Sequence, residues 1–140
     1  MGIKLQFTLE GVSWEQVAEL LRINGMAYYS PDFHQKAFEN SYIVVFAYEG
    51  DKLVGFGRAL SDGAYQAALY DVAVRPDYQG KGLGRAIVES ILQNCPGCNF
   101  ILYSSPGKED FYRKMNFRRM NTGMALFTDR EKMKTRGFTD

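Results

Sequence analysis

Residues 75–85 read RPDYQGKGLGR, and this segment decides the fold. It contains Gly80, Gly82 and Gly84 and stands immediately before the clearest helical pattern in the chain. Since residues 65–74 before it read as a strand, the segment is predicted to join a strand to the N-terminus of a helix. Apolar side chains of that helix recur at i, i+4, i+5, i+8 and i+9 and form one face: Leu83, Ile87, Val88, Ile91 and Leu92.

The glycine spacing suits the binding of a phosphate group. Without Cβ atoms, consecutive backbone N–H groups can converge on one point, and the first turn of a helix favours negative charge. Lys81 and Arg85 either add local positive charge or are solvated surface residues. A P-loop needs Ser or Thr after its Lys, whereas Gly82 follows Lys81, and a Rossmann loop needs the spacing G-x-G-x-x-G. The segment therefore predicts a phosphate or pyrophosphate site of another class.

Outward from this segment, the chain is predicted to alternate strands and helices. Ser13 begins the first helix, with Gln16 placed to complete a capping box, and that helix ends near Gly25. Short turns between three strand-like runs predict an antiparallel meander. The predicted elements before the loop are strand 3–9, helix 13–25, helix 32–39, and strands 42–48, 53–60 and 65–74.

After the glycine-rich helix, residues 100–103 read as a short buried strand, and strand, helix and strand in succession predict a parallel crossover. Residues 108–115 are a last short helix, and residues 117–119 and 124–127 are predicted to close as a hairpin. An antiparallel meander joined to a βαβ unit is an α+β or mixed α/β fold. We expect one domain over residues 1–140, with 129–140 as a candidate loose tail.

Composition excludes several functional classes. The 140 residues are 46% hydrophobic and 24% charged, as in ordinary globular proteins rather than fibrous or disordered ones. The formal net charge of +1 provides no global field toward nucleic acid or an anionic membrane, so neither partner is expected. No apolar run approaches the roughly 20 residues that span a bilayer, and residues 1–9 lack a signal-peptide pattern. The cytoplasm is the expected location.

Cys95 and Cys98 stand in a Cys-Pro-Gly-Cys sequence, which suggests a redox dithiol or half of a zinc site. A redox motif of this kind opens a helix, whereas this pair follows one, and the single histidine, His34, is distant in sequence. We interpret the pair as a helix-to-strand turn with two reduced thiols, and no metal is expected.

Residues 78–84, YQGKGLG, resemble the acyl-CoA pyrophosphate loop R/Q-x-x-G-x-G/A of the GNAT superfamily of N-acetyltransferases, with Gln79, Gly82 and Gly84 on its fixed positions. Residues 69–74 resemble the fourth strand of that family. Residues 110–117 resemble its late F-Y-x-x-x-G-F segment, with Asn116 at the usual glycine. Asn tolerates the left-handed conformation, so this turn is expected to form.

The resemblance covers about residues 3–128 and implies a GNAT-like mixed α/β fold, a meander joined to a βαβ unit with a splayed central sheet and flanking helices. It implies an enzyme that moves the acetyl group of acetyl-CoA to a primary amine of a small molecule by direct attack on the thioester, with CoA as product. The backbone N–H around Val72 is the implied oxyanion donor, and Tyr112 is the implied acid for the departing thiolate. The implied cofactor-binding residues are Val72, Ala73, Val74, Gln79, Gly80, Lys81, Gly82, Leu83, Gly84, Arg85, Ser104, Ser105, Phe111 and Tyr112.

The acceptor side of the site is less defined. Asp71 is a candidate base, a candidate counter-ion for the ammonium group, or a residue paired with a cation elsewhere. His34 has a suitable intrinsic pKa but stands on a peripheral helix. Tyr28, Tyr29 and Phe33 lie in the region that lines the acceptor pocket in this family, and the alternative is that they pack in the core.

Two other functions fit the same sequence. One is acetylation of a protein or peptide amine, and the other is a non-catalytic module that senses acyl-CoA. Exposed sheet edges also make a homodimer compatible with the predicted fold.

Overall fold

A computed structural model of the protein describes residues 2–140. The chain divides into two compact units, one ending at Leu102 and the other spanning Tyr103–Asp140. The elements of the first unit are β1 (Ile3–Gln6), α1 (Trp14–Ile23), α2 (Pro31–Glu39), β2 (Ile43–Glu49), β3 (Lys52–Ser61), β4 (Gln66–Val74), a 3₁₀ turn (Pro76–Tyr78), α3 (Leu83–Gln93) and β5 (Asn99–Ile101). The second unit contains α4 (Glu109–Arg113) and α5 (Arg130–Thr135).

The first unit is built on a five-stranded sheet in the order β1-β2-β3-β4-β5. The first four strands pair antiparallel, with Leu5 opposite Ala47 and Ala59 opposite Leu69, and β5 runs parallel to β4. The predicted meander, parallel crossover and mixed α/β class are therefore confirmed.

The two faces of the sheet are covered by different helices. Phe56 of β3 belongs to a cluster of buried residues that includes Leu20 of α1 and Phe38 of α2. Gly55 and Gly57 alternate with Phe56 and face the other side, where a Cβ atom on Gly57 would lie 3.1 Å from Ile87 of α3. The lack of side chains at these two glycines lets α3 pack closely against β3.

The predicted capping box at the start of α1 is only half formed. Ser13 Oγ accepts the Gln16 N–H at 3.3 Å, as expected for an N-cap. The Gln16 side chain turns to the sheet instead, and its Oε1 accepts the Leu53 N–H at 3.3 Å. Gln16 therefore ties α1 to β3.

The sheet opens on one side of β4. Strand β5 pairs with β4 only from Gln66 to Ala68, so from Leu69 onward β4 pairs with β3 alone among the described strands. A bulge sets Asp71 and Val72 opposite one β3 residue, and Asp71 has a positive φ of 55°. The later half of β4 therefore has one edge that pairs with no other described strand.

In the second unit, the turn after α4 forms as expected, with Asn116 at a φ of 71° and the Phe117 N–H donating to Tyr112 O at 3.2 Å. The candidate loose tail contains α5, which is capped by the Asp129 side chain accepting the Lys132 N–H at 3.1 Å. A local cap of this kind stabilises a short helix that the apolar pattern did not indicate.

The predicted C-terminal hairpin is wrong. Residues 117–119 and 124–127 contain no strand, and Met124 and Leu126 are 97% and 87% exposed. A two-stranded hairpin is marginal in water unless one face packs on a core or another strand. Here the apolar side chains of 124–126 remain exposed, so the alternating pattern has no burial to stabilise it.

No helix among residues 2–140 combines the length and the apolar character that a membrane crossing requires.

Candidate active site

The glycine loop presents a row of unpaired backbone donors. Gly82 is the N-cap of α3 in the left-handed region, with a φ of 87°, and Gly80 has a φ of 77°. The Gln79 N–H donates to Pro76 O and the Ala86 N–H to Gly82 O, but no described residue accepts the N–H groups of residues 80–85. A Cβ atom on Gly80 or Gly82 would meet nothing within 4 Å. These amides therefore lack an acceptor among the described residues at a helix N-terminus, and the surroundings of Gly80 and Gly82 are open, which suits an anion.

The 3₁₀ turn before the loop is held to the sheet. The Tyr78 hydroxyl donates to Glu49 Oε1 on β2, and the same hydrogen bond raises the pKa of Tyr78 above its ordinary value. Lys52 Nζ and Lys81 Nζ lie 5.2 and 5.7 Å from the centroid of the Tyr78 ring. The loop thus begins from a fixed point.

Lys81 and Arg85, the predicted cations of the loop, both contact neighbouring residues. Lys81 Nζ donates to Asp77 O at 3.3 Å, and Arg85 Nε donates to Glu89 Oε2 at 3.0 Å. Both side chains are exposed, so these contacts are weak and leave either residue able to turn toward an anion.

The open edge of β4 adjoins this loop in sequence. Ala73 and Val74 are buried, at 3% and 8% exposure, and Val72 is partly buried. Their side chains fill the sheet packing, so only the backbone of this edge can reach a ligand. This arrangement suits an acyl group held by main-chain N–H groups.

Asp71 is paired with a cation, one of the three roles predicted for it. Arg58 Nε donates to Asp71 Oδ2 at 2.7 Å, and both side chains are largely buried, at 15% and 25% exposure. Arg58 also donates to Ser41 Oγ at 3.3 Å, and its Cζ lies 5.3 Å from the centroid of the Tyr70 ring. The ion pair therefore has a defined place beside the β4 bulge.

The His34 side chain on α2 is buried, with 4% exposure. Its Nε2 accepts the Tyr29 N–H at 2.8 Å, which requires the neutral ring with that nitrogen unprotonated. Burial lowers the pKa of His34, with nearby Asp71 raising it and Arg58 lowering it to a smaller extent. The imidazole thus supports the segment before α2 and does not offer Nε2 as a base.

Three aromatic residues, two in the segment between α1 and α2 and one in the first turn of α2, are exposed. Tyr28, Tyr29 and Phe33 have exposures of 52%, 56% and 58%, so the alternative that they pack in the core is wrong. The Tyr29 and Phe33 rings lie 5.2 Å apart in an edge-to-face arrangement. This aromatic surface is available to a ligand.

Residues 13–125 match the family model described as an acetyltransferase (GNAT) domain. The chain belongs to the GNAT family of acetyltransferases. It is 31% identical over 121 residues to GCN5-related N-acetyltransferase 1, chloroplastic, of Arabidopsis thaliana, covering 83% of this chain and 61% of that protein. It is also 37% identical over 86 residues to serotonin N-acetyltransferase 2, chloroplastic, of Oryza sativa subsp. japonica, covering 57% and 43%.

Among solved structures, a probable acetyltransferase of unknown function from Staphylococcus aureus has a TM-score of 0.78 and 25% identity, covering 89% of this chain and 98% of that one. The GNAT fold predicted from the loop is therefore confirmed. The chain spans about half the length of the curated relatives it matches.

The expected cytoplasmic location is wrong against these comparisons, because GNAT relatives from two plants are named chloroplastic. The expectation rested on the lack of a recognisable leader in residues 1–9, and such a lack does not identify a compartment.

In the second unit of this GNAT protein, Tyr112 stands on α4 with Phe111 at 4.9 Å and Phe117 at 5.7 Å between ring centroids. Burial raises the pKa of Tyr112 to about 12, so the phenol stays protonated at neutral pH. Ser104 and Ser105 precede α4, and Ser105 O accepts the Lys108 N–H at 3.0 Å. Their predicted roles, like that of Phe111, stay predictions.

The Cys-Pro-Gly-Cys segment forms the predicted turn, with the Cys98 N–H donating to Cys95 O at 3.3 Å and both thiols free. Burial raises the pKa of Cys95, which disfavours the thiolate that redox chemistry needs. Across residues 2–140, no three His, Cys, Asp or Glu side chains are grouped to hold a metal ion.

Two residues that contact β4, Arg58 and Asn24, were not predicted from the sequence to belong to the site. Arg58 is a charge inside an apolar strand pattern, which is a signal that could have marked it. Asn24, whose Nδ2 donates to Val74 O at 3.0 Å, stands between Ile23 and Gly25, where the sequence shows only an ordinary helix end.

Proposed function

We propose that this GNAT domain transfers the acetyl group of acetyl-CoA to a primary amine. The observation that carries the proposal is the set of N–H groups of residues 80–85 without an acceptor at the start of α3, with open space around Gly80 and Gly82. Backbone donors at a helix N-terminus bind a diphosphate without any charged side chain, which agrees with the engaged states of Lys81 and Arg85. A loop already satisfied inside the fold would not support this function.

Acetyl-CoA supplies an activated acetyl thioester when it is bound. Residues 80–85 would hold its diphosphate, and the open backbone edge of β4 around Val72 would hold the acyl carbonyl by N–H donation. We assign the proton for the CoA thiolate to Tyr112, whose phenol is protonated at neutral pH because burial raises its pKa to about 12.

The acceptor is proposed to be a small-molecule amine that carries an aromatic or apolar group. The exposed rings of Tyr28, Tyr29 and Phe33 support this class, since aromatic faces bind both rings and cations. The naming of the rice relative as a serotonin N-acetyltransferase points in the same direction. Asp71 would attract the ammonium group rather than remove its proton, because Asp71 Oδ2 already accepts from Arg58, and water would carry the proton away.

The names of the plant relatives also support a plastid location for this acetyltransferase. Association into a homodimer stays a prediction, which light scattering of the purified chain would test.

Acetyl-CoA binding is the first test. At about one hundred times its dissociation constant, acetyl-CoA should stabilise the protein by roughly 2.7 kcal/mol, seen as a rise of several degrees in melting temperature. No rise at any concentration would exclude the proposed function.

Release of the CoA thiol should then be followed over a panel of arylalkylamines, polyamines, amino acids and peptides. We expect turnover to be highest with arylalkylamines. Preference for peptides would replace the small-molecule acceptor with a protein amine. Binding of acetyl-CoA without turnover on any acceptor would instead identify a sensor of acyl-CoA.

A further inference from the structure

Three helices of the first unit end on asparagine, and their side chains behave differently. The C-cap residues of α1, α2 and α3 are Asn24, Asn40 and Asn94. Asn40 Nδ2 donates to Lys36 O at 2.8 Å, and Asn94 Nδ2 donates to Ser90 O at 2.7 Å. Each of these two side chains therefore caps its own helix, four residues back.

Asn24 does not cap its own helix. Its Nδ2 donates to Val74 O at 3.0 Å, fifty residues away at the end of β4. The end of α1 is completed by the backbone instead: Gly25 is left-handed, with a φ of 69°, and the Met26 N–H donates to Leu21 O at 3.0 Å. A glycine cap of this type satisfies the last carbonyls, so α1 leaves the Asn24 side chain free for another partner.

The Asn24 side chain instead contacts the segment between the end of β4 and the glycine loop. Val74 O accepts two amide groups, from Asn24 Nδ2 and from Gln79 Nε2 at 2.9 Å. Gln79 Nε2 also donates to Asn24 Oδ1 at 3.3 Å. Since a carbonyl oxygen has two acceptor sites, Val74 O is saturated and the three groups form a closed set.

This set joins two segments that the proposed reaction uses. Val74 and Gln79 bracket the 3₁₀ turn that leads into the open amides of residues 80–85. Asn24 begins the segment that continues through the exposed rings of Tyr28 and Tyr29. The amide groups therefore connect the start of the segment that carries Tyr28 and Tyr29 to the start of the glycine loop, residues 80–85.

We propose that Asn24 is a positioning residue, which acts through Val74 and Gln79 to hold the loop of residues 80–85 ready for the diphosphate of acetyl-CoA. The ligand in this proposal, acetyl-CoA, rests on the proposed function. The claim that Asn24 restricts the motion of the loop does not. A helix cap alone would not need a side chain that leaves its helix, and Gly25 already supplies the cap.

The test compares Asn24→Ala with Asn40→Ala and Asn94→Ala, which remove an asparagine side chain from the same position at the ends of α2 and α3. In the unliganded protein, ¹⁵N relaxation of Gly80, Gly82 and Gly84 should give order parameters near ~0.85 in the wild type and below ~0.6 in Asn24→Ala. The two control variants should retain the wild-type values. A mobile loop in the wild type, or equal values in all three variants, would overturn the proposal.

Calorimetric titration with acetyl-CoA supplies the second readout. Loss of the link should weaken binding about five- to tenfold in Asn24→Ala, while the controls stay within about twofold of the wild type. Asn24→Asp keeps an acceptor for Gln79 but no donor for Val74 O, and it should be no better than alanine. Wild-type binding by Asn24→Asp would overturn the role of the Val74 bond.

Gln79→Ala removes the bonds of the same link from the exposed side, and it should lower the order parameters of Gly80, Gly82 and Gly84 even if the Asn24 variants do not fold; wild-type values would overturn the proposal. In the double variant, the loss in acetyl-CoA affinity should be smaller than the product of the two single losses, because both side chains act through one set of bonds. Multiplicative losses would contradict the proposal. Failure of the wild type to bind acetyl-CoA would exclude the proposed function. The relaxation experiment would still show whether Asn24 restricts the motion of residues 80–85.

Discussion

The Tyr29 N–H donates to His34 Nε2 at 2.8 Å, so a buried neutral imidazole holds the backbone that carries the exposed aromatic surface. The bond spans five residues and joins the end of the α1–α2 segment to α2 itself. Together with Asn24 at the other end, it leaves this segment attached at both of its ends.

The His34 bond makes stability depend on pH. Burial lowers the pKa of His34 in the folded state, so its neutral form is favoured there. The contribution of the neutral His34 imidazole to the free energy of unfolding is therefore fully present above the unfolded pKa of about 6.5. It is lost as the pH falls from there through the folded pKa. Asp71 opposes this shift and Arg58 adds to it, both less than burial does.

Melting temperatures measured between about pH 7.5 and pH 5.5 check this prediction. The wild type should lose stability over this range, and His34→Gln, which keeps a side-chain acceptor but does not titrate, should lose less. Identical pH profiles for the two proteins would remove His34 as the titrating group.

Tyr112→Phe is expected to lower turnover by about 10² and to leave the affinity for acetyl-CoA unchanged, because only the proton donor is removed. Burial raises the pKa of Tyr112 to about 12, so the wild-type rate should show no alkaline loss from this group below about pH 11. Tyr65→Phe, at a residue that is 63% exposed, is the control. Equal turnover in both variants would exclude Tyr112 as the acid.

Gly82→Ala is expected to lower stability by about 1–2 kcal/mol and also to weaken acetyl-CoA binding, because an alanine is strained at a φ of 87° and relaxes by moving the loop amides. Gly11→Ala is a matched control, since Gly11 has a φ of 70° and equally open surroundings. Urea unfolding should give similar losses for both, and titration should find weaker binding in Gly82→Ala alone. Equal affinities would mean that these amides do not hold the diphosphate.

Arg58→Met is expected to destabilise the protein by about 1–3 kcal/mol, because it leaves the largely buried Asp71 carboxylate without its cation. Arg22→Met breaks the pair with Glu19, in which both side chains are about half exposed, and should cost much less because solvent screens the two charges. Urea unfolding of the two variants measures the difference. Equal losses would show that the Arg58 pair is no stronger than a surface contact.

The glycine loop of residues 79–85 and the helix α3 that follows it were predictable because their signals are local. The conformation of residues 79–85 depends on which positions lack a Cβ atom, and the apolar face of α3 follows from spacing within eleven residues. The turn at Asn116 followed in the same way from the tolerance of Asn for positive φ.

The prediction of a C-terminal hairpin was wrong because a hairpin depends on contacts outside its own segment. An alternating pattern at residues 117–119 and 124–127 specifies a strand only when a neighbouring strand or a core buries one face, and that condition lies outside the segment. The exposure of Tyr28, Tyr29 and Phe33 was undecided for the same reason, since aromatic residues occur both in cores and at binding surfaces.

The sequence by itself determined the family, the antiparallel meander with its parallel crossover and the place of the glycine loop, because short-range backbone preferences and apolar periodicity suffice for these. Tertiary structure alone decided that Arg58 pairs with Asp71 and that Asn24 reaches Val74 and Gln79. Such contacts join residues 13 to 55 positions apart, and their partners are selected by strand register and helix packing, which no local pattern encodes.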